Sequence, residues 1–281
     1  MKFLRVGEKG KEKPAILDKN NKIRDLSFYI KDFNSDNLKL ETISKLKNIN
    51  LETLPIIKNS ERIGSCISKP GKFIAIGLNY SDHAKETGAN SPSEPIVFMK
   101  ATSSIVGPND NVVLPKGSKK LDWEVELAFV VGKDTKNIPE DQAENHILGY
   151  CIVNDISERE WQIEKMGQWV KGKSGDTFGP TGPYLVTKDE IPNVNNLKLS
   201  LDVNGKNMQS GNTKNMIFKT HFILSYLSRF MSLQPGDIIT TGTPAGVGMG
   251  MNPKVFLKVG DKIKISIDNL GEQNSEIVLA S

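Results

Sequence analysis

The sequence predicts an α+β fold dominated by β structure, with a small amino-terminal β domain ahead of a larger domain. Among its 281 residues, 24 are Gly and 14 are Pro, which indicates frequent turns. Short apolar runs bounded by Gly, Pro, Asn or Asp recur along the chain, as strands require. Helical periodicity of apolar residues extends over only two long stretches, 157–166 and 217–231.

The segment 1–69 is rich in Lys and Asn and contains only short apolar pieces. We expect it to form the small β domain, with one helix near 36–47. The turn signal Lys69-Pro70-Gly71 marks the boundary with a second domain over residues 70–281. The apolar runs that predict strands in this second domain are 73–78, 96–99, 112–114, 121–131, 147–153, 183–187, 198–203, 238–241 and 262–267.

Composition excludes several classes of protein. The net charge of +4 is spread along the chain, whereas nucleic-acid binding needs a dense basic patch. The first ten residues carry charges instead of the apolar core of a signal peptide, and no apolar run approaches the roughly 18 residues that span a membrane. We therefore expect a soluble, cytoplasmic protein. Cys66 and Cys151 form no CxxC pattern and are expected to be buried thiols.

The run 121–131 is the most informative predicted strand. Alternation places Trp123, Val125, Leu127, Phe129 and Val131 on one face. Asp122, Glu124 and Glu126 fall on the other face, which continues with the apolar residues Ala128 and Val130. Carboxylates on such a partly buried face repel one another and are costly to desolvate. A divalent cation would remove both problems, and oxygen ligands favour Mg²⁺, Mn²⁺ or Ca²⁺. An edge strand with a solvated acidic face is the alternative.

A third carboxylate follows the next predicted strand. Asp155 lies in the loop at the end of that strand, and Ser157-x-x-Glu160 is typical of a capping box that opens a helix. Arg159 and Gln162 are three residues apart and would share a face of this helix. They could point into one pocket with Asp155. A role for Asp155 in an Asx turn is the alternative.

His83 is the candidate general base. It follows a predicted strand and lies three residues before Glu86, so the two side chains can meet on one helical face. A carboxylate that holds an imidazole raises its basicity, and such a pair can take a proton from water. A purely structural His-x-x-Glu pair is the alternative. Of the other two histidines, His221 lies in the predicted helix 217–231 and is expected to be structural, and His146 precedes a predicted core strand and has no evident partner.

Two glycine-rich segments remain. Residues 167–174 match the phosphate-binding pattern GxxxxGK[ST], but a helical pattern precedes them and Gly and Pro crowd the segment that follows, which argues against nucleotide binding. Lys173 in this segment could meet an anionic substrate or a developing enolate. In the loop 242–248, backbone N–H groups and the Thr243 hydroxyl could bind a carboxylate, although a simple tight connection is the alternative.

Taken together, these motifs resemble the fumarylacetoacetate hydrolase family. The matching segments, in the family's order, are GLNYSDHAKE (77–86), DWEVELAFVVG (122–132), GYCIVNDISEREWQ (149–162), KGKSGDTFGPTGP (171–183) and LQPGDIITTGTPAGVG (233–248). The resemblance covers about residues 70–281. The whole chain looks most like bacterial members known as ureidoglycolate lyase or 2,4-diketo-3-deoxy-L-fuconate hydrolase.

This resemblance implies a role for each candidate residue. The implied roles are a divalent-metal site (Mg²⁺, or Mn²⁺ or Ca²⁺) at Glu124, Glu126 and Asp155, a water-activating dyad of His83 and Glu86, a catalytic lysine at Lys173, and substrate contacts at Arg159, Gln162 and Thr243. The fold it implies is the family's mixed β-roll, usually found as a homodimer.

The implied activity is metal-dependent hydrolysis of a C–C bond in a 2,4-diketo acid through a chelated enolate. The substrate would be a small anionic keto acid, either acylpyruvate-like or derived from a sugar acid. Lyase activity on ureidoglycolate, or decarboxylation or tautomerisation of oxaloacetate-like acids, would use the same site and remains an alternative. A non-catalytic binding protein is a further alternative, and the presence of both His83 and Glu86 argues against it.

Overall fold

Strands form most of the regular structure in the computed structural model, which describes residues 1–86, 88 and 90–280. In chain order they are β1 Lys2–Val6, β2 Lys13–Leu17, β3 Ile23–Asp25, β4 Ile56–Ile57, β5 Ile63–Gly64, β6 Phe73–Gly77, β7 Ile96–Lys100, β8 Ile105–Val106, β9 Val112–Leu114, β10 Leu121–Asp122, β11 Val125–Val131, β12 Ile147–Asn154, β13 Ser157–Glu158, β14 Gly179–Pro180, β15 Leu185–Thr187, β16 Lys198–Val203, β17 Lys206–Asn212, β18 Ile238–Thr240, β19 Lys262–Ile267 and β20 Gly271–Leu279.

Helices are few and short. They are α1 Leu40–Leu46, α2 Ser81–Glu86, α3 Glu140–Ala143, α4 Val170–Lys173 and α5 Thr220–Phe230, together with a π-helical turn Glu160–Glu164 and several 3-10 turns. The predicted α+β, β-rich class is confirmed. Within the described part of the chain, no helix combines the length and the apolar character needed to cross a membrane.

The larger sheet runs through both halves of the sequence. Its strand order is β4-β3-β2-β1-β15-β12-β11-β18-β6-β7, and β5 also pairs with β1. Strand β1 pairs antiparallel with β2 on one side and with β15 on the other. The amino-terminal strands therefore extend the sheet of the remaining chain, and the boundary expected at residue 69 falls between strands of one sheet. The division into 1–69 and 70–281 stays a prediction.

A second sheet has the order β17-β16-β19-β20-β9 and packs against one face of the first. Strand β11 is buried on both of its faces, so the alternative of an edge strand with a solvated acidic face is wrong. Leu127 and Phe129 belong to the core shared with the second sheet, which includes Ile265. Ala128 and Val130 belong to the other core, which the amino-terminal segment covers. This burial on both faces explains why the acidic residues at the start of β11 are shielded from water.

The helix predicted over 157–166 is wrong for its first residues. Ser157 pairs with Asp122 between β13 and β10, so its backbone is extended and cannot cap a helix. Its hydroxyl donates instead to the carbonyl oxygen of Asp155 at 2.9 Å. A π-helical turn follows from Glu160. The other long helix prediction, 217–231, corresponds to α5, and the helix expected near 36–47 corresponds to α1.

Candidate functional site

The structure brings the three candidate metal carboxylates together. Glu124 directly precedes β11, Glu126 lies within it, and Asp155 directly follows β12. The pairing of β11 with β12 aligns these positions, and the backbone N–H of Asp155 donates to the carbonyl oxygen of Glu124 at 2.9 Å. One oxygen from each carboxylate lies within 4.8 Å of the others. All three side chains are buried.

Two buried lysines compensate part of this negative charge. Lys173 Nζ donates to Glu124 Oε2 at 2.7 Å and to Asp155 Oδ2 at 2.8 Å. Lys100 Nζ donates to Asp155 Oδ1 at 2.6 Å and to the carbonyl oxygen of Lys173. Burial lowers the pKa of Lys100, and Asp155 offsets this only partly. Sequence reasoning missed Lys100, because its only signal is a lysine at the end of an apolar run, where lysines are commonly solvated.

Glu126 differs from its two neighbours. Burial, together with the charges of Asp155 and Glu124, raises its pKa well above the ordinary value. Burial opposes ionisation of Glu124 too, but Lys173 and Arg159 outweigh it and lower the pKa of Glu124 to about 2. Among the described residues Glu126 forms no ion pair, and its Oε2 accepts the N–H of Gly242 at 2.9 Å. A buried oxygen cluster with one uncompensated carboxylate fits a divalent cation.

His83 and Glu86 meet on α2, as predicted. His83 Nδ1 lies 3.2 Å from Glu86 Oε2, and Gly246 N–H donates to the other carboxylate oxygen, Oε1, at 2.9 Å. We assign the proton to Nδ1, since Glu86 can only accept there; Nε2 is then the basic atom. His83, Glu124 and Glu126 all line one cavity, so the imidazole lies near the carboxylate cluster.

Gln162 lies in the π-helical turn Glu160–Glu164, and Arg159 directly precedes that turn. Arg159 Nε donates to Asp122 Oδ2 at 2.8 Å, and its Nη1 donates to Gln162 Oε1 at 3.0 Å. Arg159 Nη2 lies 2.8 Å from Glu124 Oε1. Burial opposes the charge of Arg159, but Asp122 and Glu124 more than offset it and raise its pKa. Arg159 is therefore fixed between Asp122, which sequence reasoning left without a role, and the carboxylate cluster.

The glycine-rich loop 242–250 donates four of its N–H groups to the protein's own carboxylates. Besides the bonds to Glu126 and Glu86, the N–H groups of Gly248 and Met249 donate to Asp122 at 2.7 and 2.9 Å. The side chain of Thr243 also forms hydrogen bonds within the protein. Its hydroxyl donates to the carbonyl of Val125 at 2.9 Å and accepts from Gln209 Nε2 at 2.8 Å. The loop thus holds the site together as well as lining it.

These residues surround one cavity of about 200 Å³. Its polar wall comes from the predicted site, and its remaining wall is apolar. The side chains on it are His83, Glu124, Glu126, Arg159, Gln162, Lys173 and Thr243, together with Ile76, Leu78, Phe98, Ile163, Trp169 and Met249. Every predicted site residue except Glu86 and Asp155 therefore lines the cavity, and those two contact residues that do.

The chain is similar to known proteins both in sequence and in structure. Residues 72–278 match the profile of the fumarylacetoacetate (FAA) hydrolase C-terminal family. A protein of Burkholderia ambifaria, named provisionally as a hydrolase, is 55% identical over 97% of both chains. The solved fumarylacetoacetate hydrolase of Exiguobacterium antarcticum is 34% identical, with a TM-score of 0.88 over 100% of both chains.

A second solved structure of similar fold contains a metal ion. The maleylpyruvate hydrolase of Sphingobium sp. SYK-6, solved with manganese(II) and pyruvate, is 27% identical, with a TM-score of 0.84 over 100% of both chains. Other solved proteins of similar fold are named as isomerases. The family profile covers most of the chain, and the curated relative spans nearly all of it. This protein therefore belongs to the fumarylacetoacetate hydrolase family.

Proposed function

We propose that this protein is a hydrolase that requires Mg²⁺ or Mn²⁺ and cleaves the C–C bond of an acylpyruvate, releasing pyruvate and a carboxylic acid. The observation that carries the proposal is the shared cavity, which the carboxylate cluster, the His83 imidazole and the Lys173 ammonium all reach. The manganese and pyruvate bound to the Sphingobium maleylpyruvate hydrolase support the same chemistry for a member of this family.

Each residue then has a task that its contacts support. Glu124, Glu126 and Asp155 would hold the cation, which supplies positive charge that polarises oxygen atoms of the substrate. His83 takes a proton from water through Nε2, because Glu86 fixes its tautomer and stabilises the imidazolium that forms. Lys173 places an ammonium beside the cavity, where it stabilises negative charge that develops on the departing enolate.

Isomerase, decarboxylase and lyase activities are the second candidates. The isomerase names of several proteins of similar fold favour an isomerase, and proton transfer at His83 could serve enolisation without hydrolysis. A ureidoglycolate lyase or a decarboxylase of oxaloacetate-like acids would use the same carboxylates and the same lysine.

The products formed from acetylpyruvate and oxaloacetate in oxygen-18-labelled water distinguish these reactions. We expect Mn²⁺-dependent release of pyruvate and of acetate that carries one labelled oxygen in its carboxylate. Release of carbon dioxide from oxaloacetate faster than in Mn²⁺ without protein, or an isomer of unchanged mass, would instead indicate the second candidates. We expect His83→Gln to lose about 10²- to 10⁴-fold in kcat, whereas the matched variant His221→Gln on α5 keeps full activity. Undiminished hydrolysis by Glu124→Ala in excess chelator would exclude the proposal.

A further inference from the structure

We propose that the acyl group of the substrate is apolar and uncharged, such as a short alkyl or an aryl group, and is not a carboxyalkyl or a sugar-like polyol. This inference rests on the proposed function and specifies its substrate class. It comes from the apolar part of the cavity wall. That wall consists of Ile76, Leu78, Phe98, Ile163, Trp169 and Met249.

Two residues of this apolar wall form an aromatic pair. The rings of Phe98 and Trp169 contact each other edge to face, with centroids 5.2 Å apart. A Cβ atom at Gly77 would lie 2.6 Å from the Trp169 ring. Only a glycine at that position lets the indole pack against the end of β6, so the local sequence supports this placement of Trp169.

The apolar wall begins next to the catalytic end of the cavity. Lys173 Nζ lies 5.1 Å from the centre of the Phe98 ring. A substrate whose charged pyruvate part lies near Lys173 would therefore place its acyl group along Phe98 and Trp169. Aromatic and aliphatic walls gain free energy by covering an apolar group, at about 25 cal/mol per Å² of buried apolar area.

The cations around the cavity are already paired. Arg159 contacts Asp122 and Glu124, and Lys173 contacts Glu124 and Asp155. A second carboxylate on the acyl group would lose hydration beside an apolar wall and would have to compete with these carboxylates for a cation. Several hydroxyl groups would meet the same wall without enough partners. The cavity of about 200 Å³ also favours a small substrate.

The test compares acyl groups of similar length. We expect kcat/KM for pentanoylpyruvate and benzoylpyruvate to exceed that for succinylpyruvate, and that for a trihydroxypentanoylpyruvate, by tenfold or more. Equal or faster cleavage of the succinyl or hydroxylated compound would overturn the inference while leaving hydrolysis of acylpyruvates intact.

A binding measurement separates this inference from the proposed reaction. The Mn²⁺-loaded protein would be titrated with two unreactive oxamates that differ only at the far end, N-pentyl oxamate and N-(carboxypropyl) oxamate. The change in protein fluorescence gives the affinity for each compound. Tighter binding of the pentyl compound, by tenfold or more, supports the inference even if no acylpyruvate is cleaved. Equal affinity, or preference for the carboxypropyl compound, overturns it.

A variant at the cavity mouth provides the reverse test. Ile163 lines the cavity and is 47% exposed, so Ile163→Lys adds a cation there without burying it. We expect this variant to raise kcat/KM for succinylpyruvate relative to pentanoylpyruvate by about tenfold or more. Met166→Lys is the matched control, because Met166 is 91% exposed and does not line the cavity. An unchanged ratio in Ile163→Lys, or an equal change in Met166→Lys, contradicts the placement of the acyl group.

Discussion

At the scale of single residues, the site depends on how buried charges balance. Glu124 and Asp155 are paired with lysines and an arginine, whereas Glu126 has no ion pair among the described residues. Removing one partner of a buried ion pair costs more than the pair contributes, because the remaining charge stays desolvated. We therefore expect the cations that compensate the carboxylate cluster to be important for folding.

Lys100 allows this balance to be tested. In Lys100→Met, Asp155 loses a contact of 2.6 Å inside the core, and we expect the free energy of unfolding in chelator to fall by about 3–5 kcal/mol. Because the cluster becomes more negative, added Mn²⁺ should raise the melting temperature of the variant more than that of the wild type. Thermal and urea denaturation measure both effects.

The control for this prediction is Lys116→Met, which removes an exposed lysine and should change stability by less than about 0.5 kcal/mol. If Lys100→Met in chelator is as stable as the wild type, Lys100 does not compensate the carboxylate cluster. A smaller gain from Mn²⁺ in the variant than in the wild type would contradict the charge argument specifically.

At the scale of elements, the loop 242–250 is held by three carboxylates from three different parts of the chain. Glu126 comes from β11, Glu86 from α2 and Asp122 from β10, and each accepts at least one N–H of the loop. Glu126 is also a candidate metal ligand, and Glu86 also fixes His83. Movement of this loop would therefore disturb the carboxylate cluster and the dyad at once.

Asp122→Asn should loosen this loop. The substitution removes the charge that accepts the N–H groups of Gly248 and Met249 and the Nε–H of Arg159. A hydrogen bond to a charged group contributes about 1.5–3 kcal/mol, so we expect amide hydrogen exchange in residues 246–250 to become about tenfold to a hundredfold faster. Mass spectrometry of the corresponding peptide measures it.

Asp141→Asn at the start of α3 is the control, since Asp141 is exposed and distant in sequence from the loop. It should leave exchange in residues 246–250 unchanged. Wild-type protection of this peptide in Asp122→Asn would show that Glu86 and Glu126 alone are sufficient to hold the loop.

Local pattern predicted some elements and missed others for identifiable reasons. Apolar residues alternate with carboxylates over 121–126, and a continuous apolar run follows because each face of β11 packs against its own core, so both the strand and its carboxylates were predictable. Strand β20 was missed, because the buried positions Gln273 and Ser275 are polar. The helix expected from Ser157 was wrong, because its pairing with Asp122 connects residues distant in sequence. Likewise, no local signal shows that Lys100 reaches Asp155.

At the scale of the whole molecule, the amino-terminal segment and the rest of the chain share a sheet and a core. Phe3 and Phe33 pack in the same apolar cluster as Phe73 and Ala128. An ionic network reinforces this junction. Arg62, which directly precedes β5, contacts Glu12 at 2.8 Å and Asp110 at 2.5 Å. Glu12 directly precedes β2, and Asp110 lies in the loop between β8 and β9. We therefore expect the chain to unfold as a single cooperative unit.

The ionic network around Arg62 should make the free energy of unfolding depend on pH. The pKa values of its carboxyl groups determine the direction of that dependence. Burial opposes the ionisation of Glu12 and of Asp110, but hydrogen bonds and charge from Arg62 outweigh it, so both pKa values lie below their ordinary ones. Groups of this kind stabilise the folded state above their unfolded pKa values, about 4, and the stabilisation is lost as the pH falls through the lower folded values.

Substitution of Arg62 should therefore lower the stability of the protein near neutral pH and lower it much less in acid. We expect Arg62→Met to lower the free energy of unfolding by about 1–3 kcal/mol at about pH 7, and the difference from the wild type to shrink steadily between about pH 5 and pH 3. Urea denaturation across this range measures it. Lys11→Met, which breaks an ion pair whose side chains are both 79% exposed, should match the wild type at every pH. A difference for Arg62→Met that stays constant in acid would mean that Arg62 acts through packing of its side chain and not through Glu12 and Asp110.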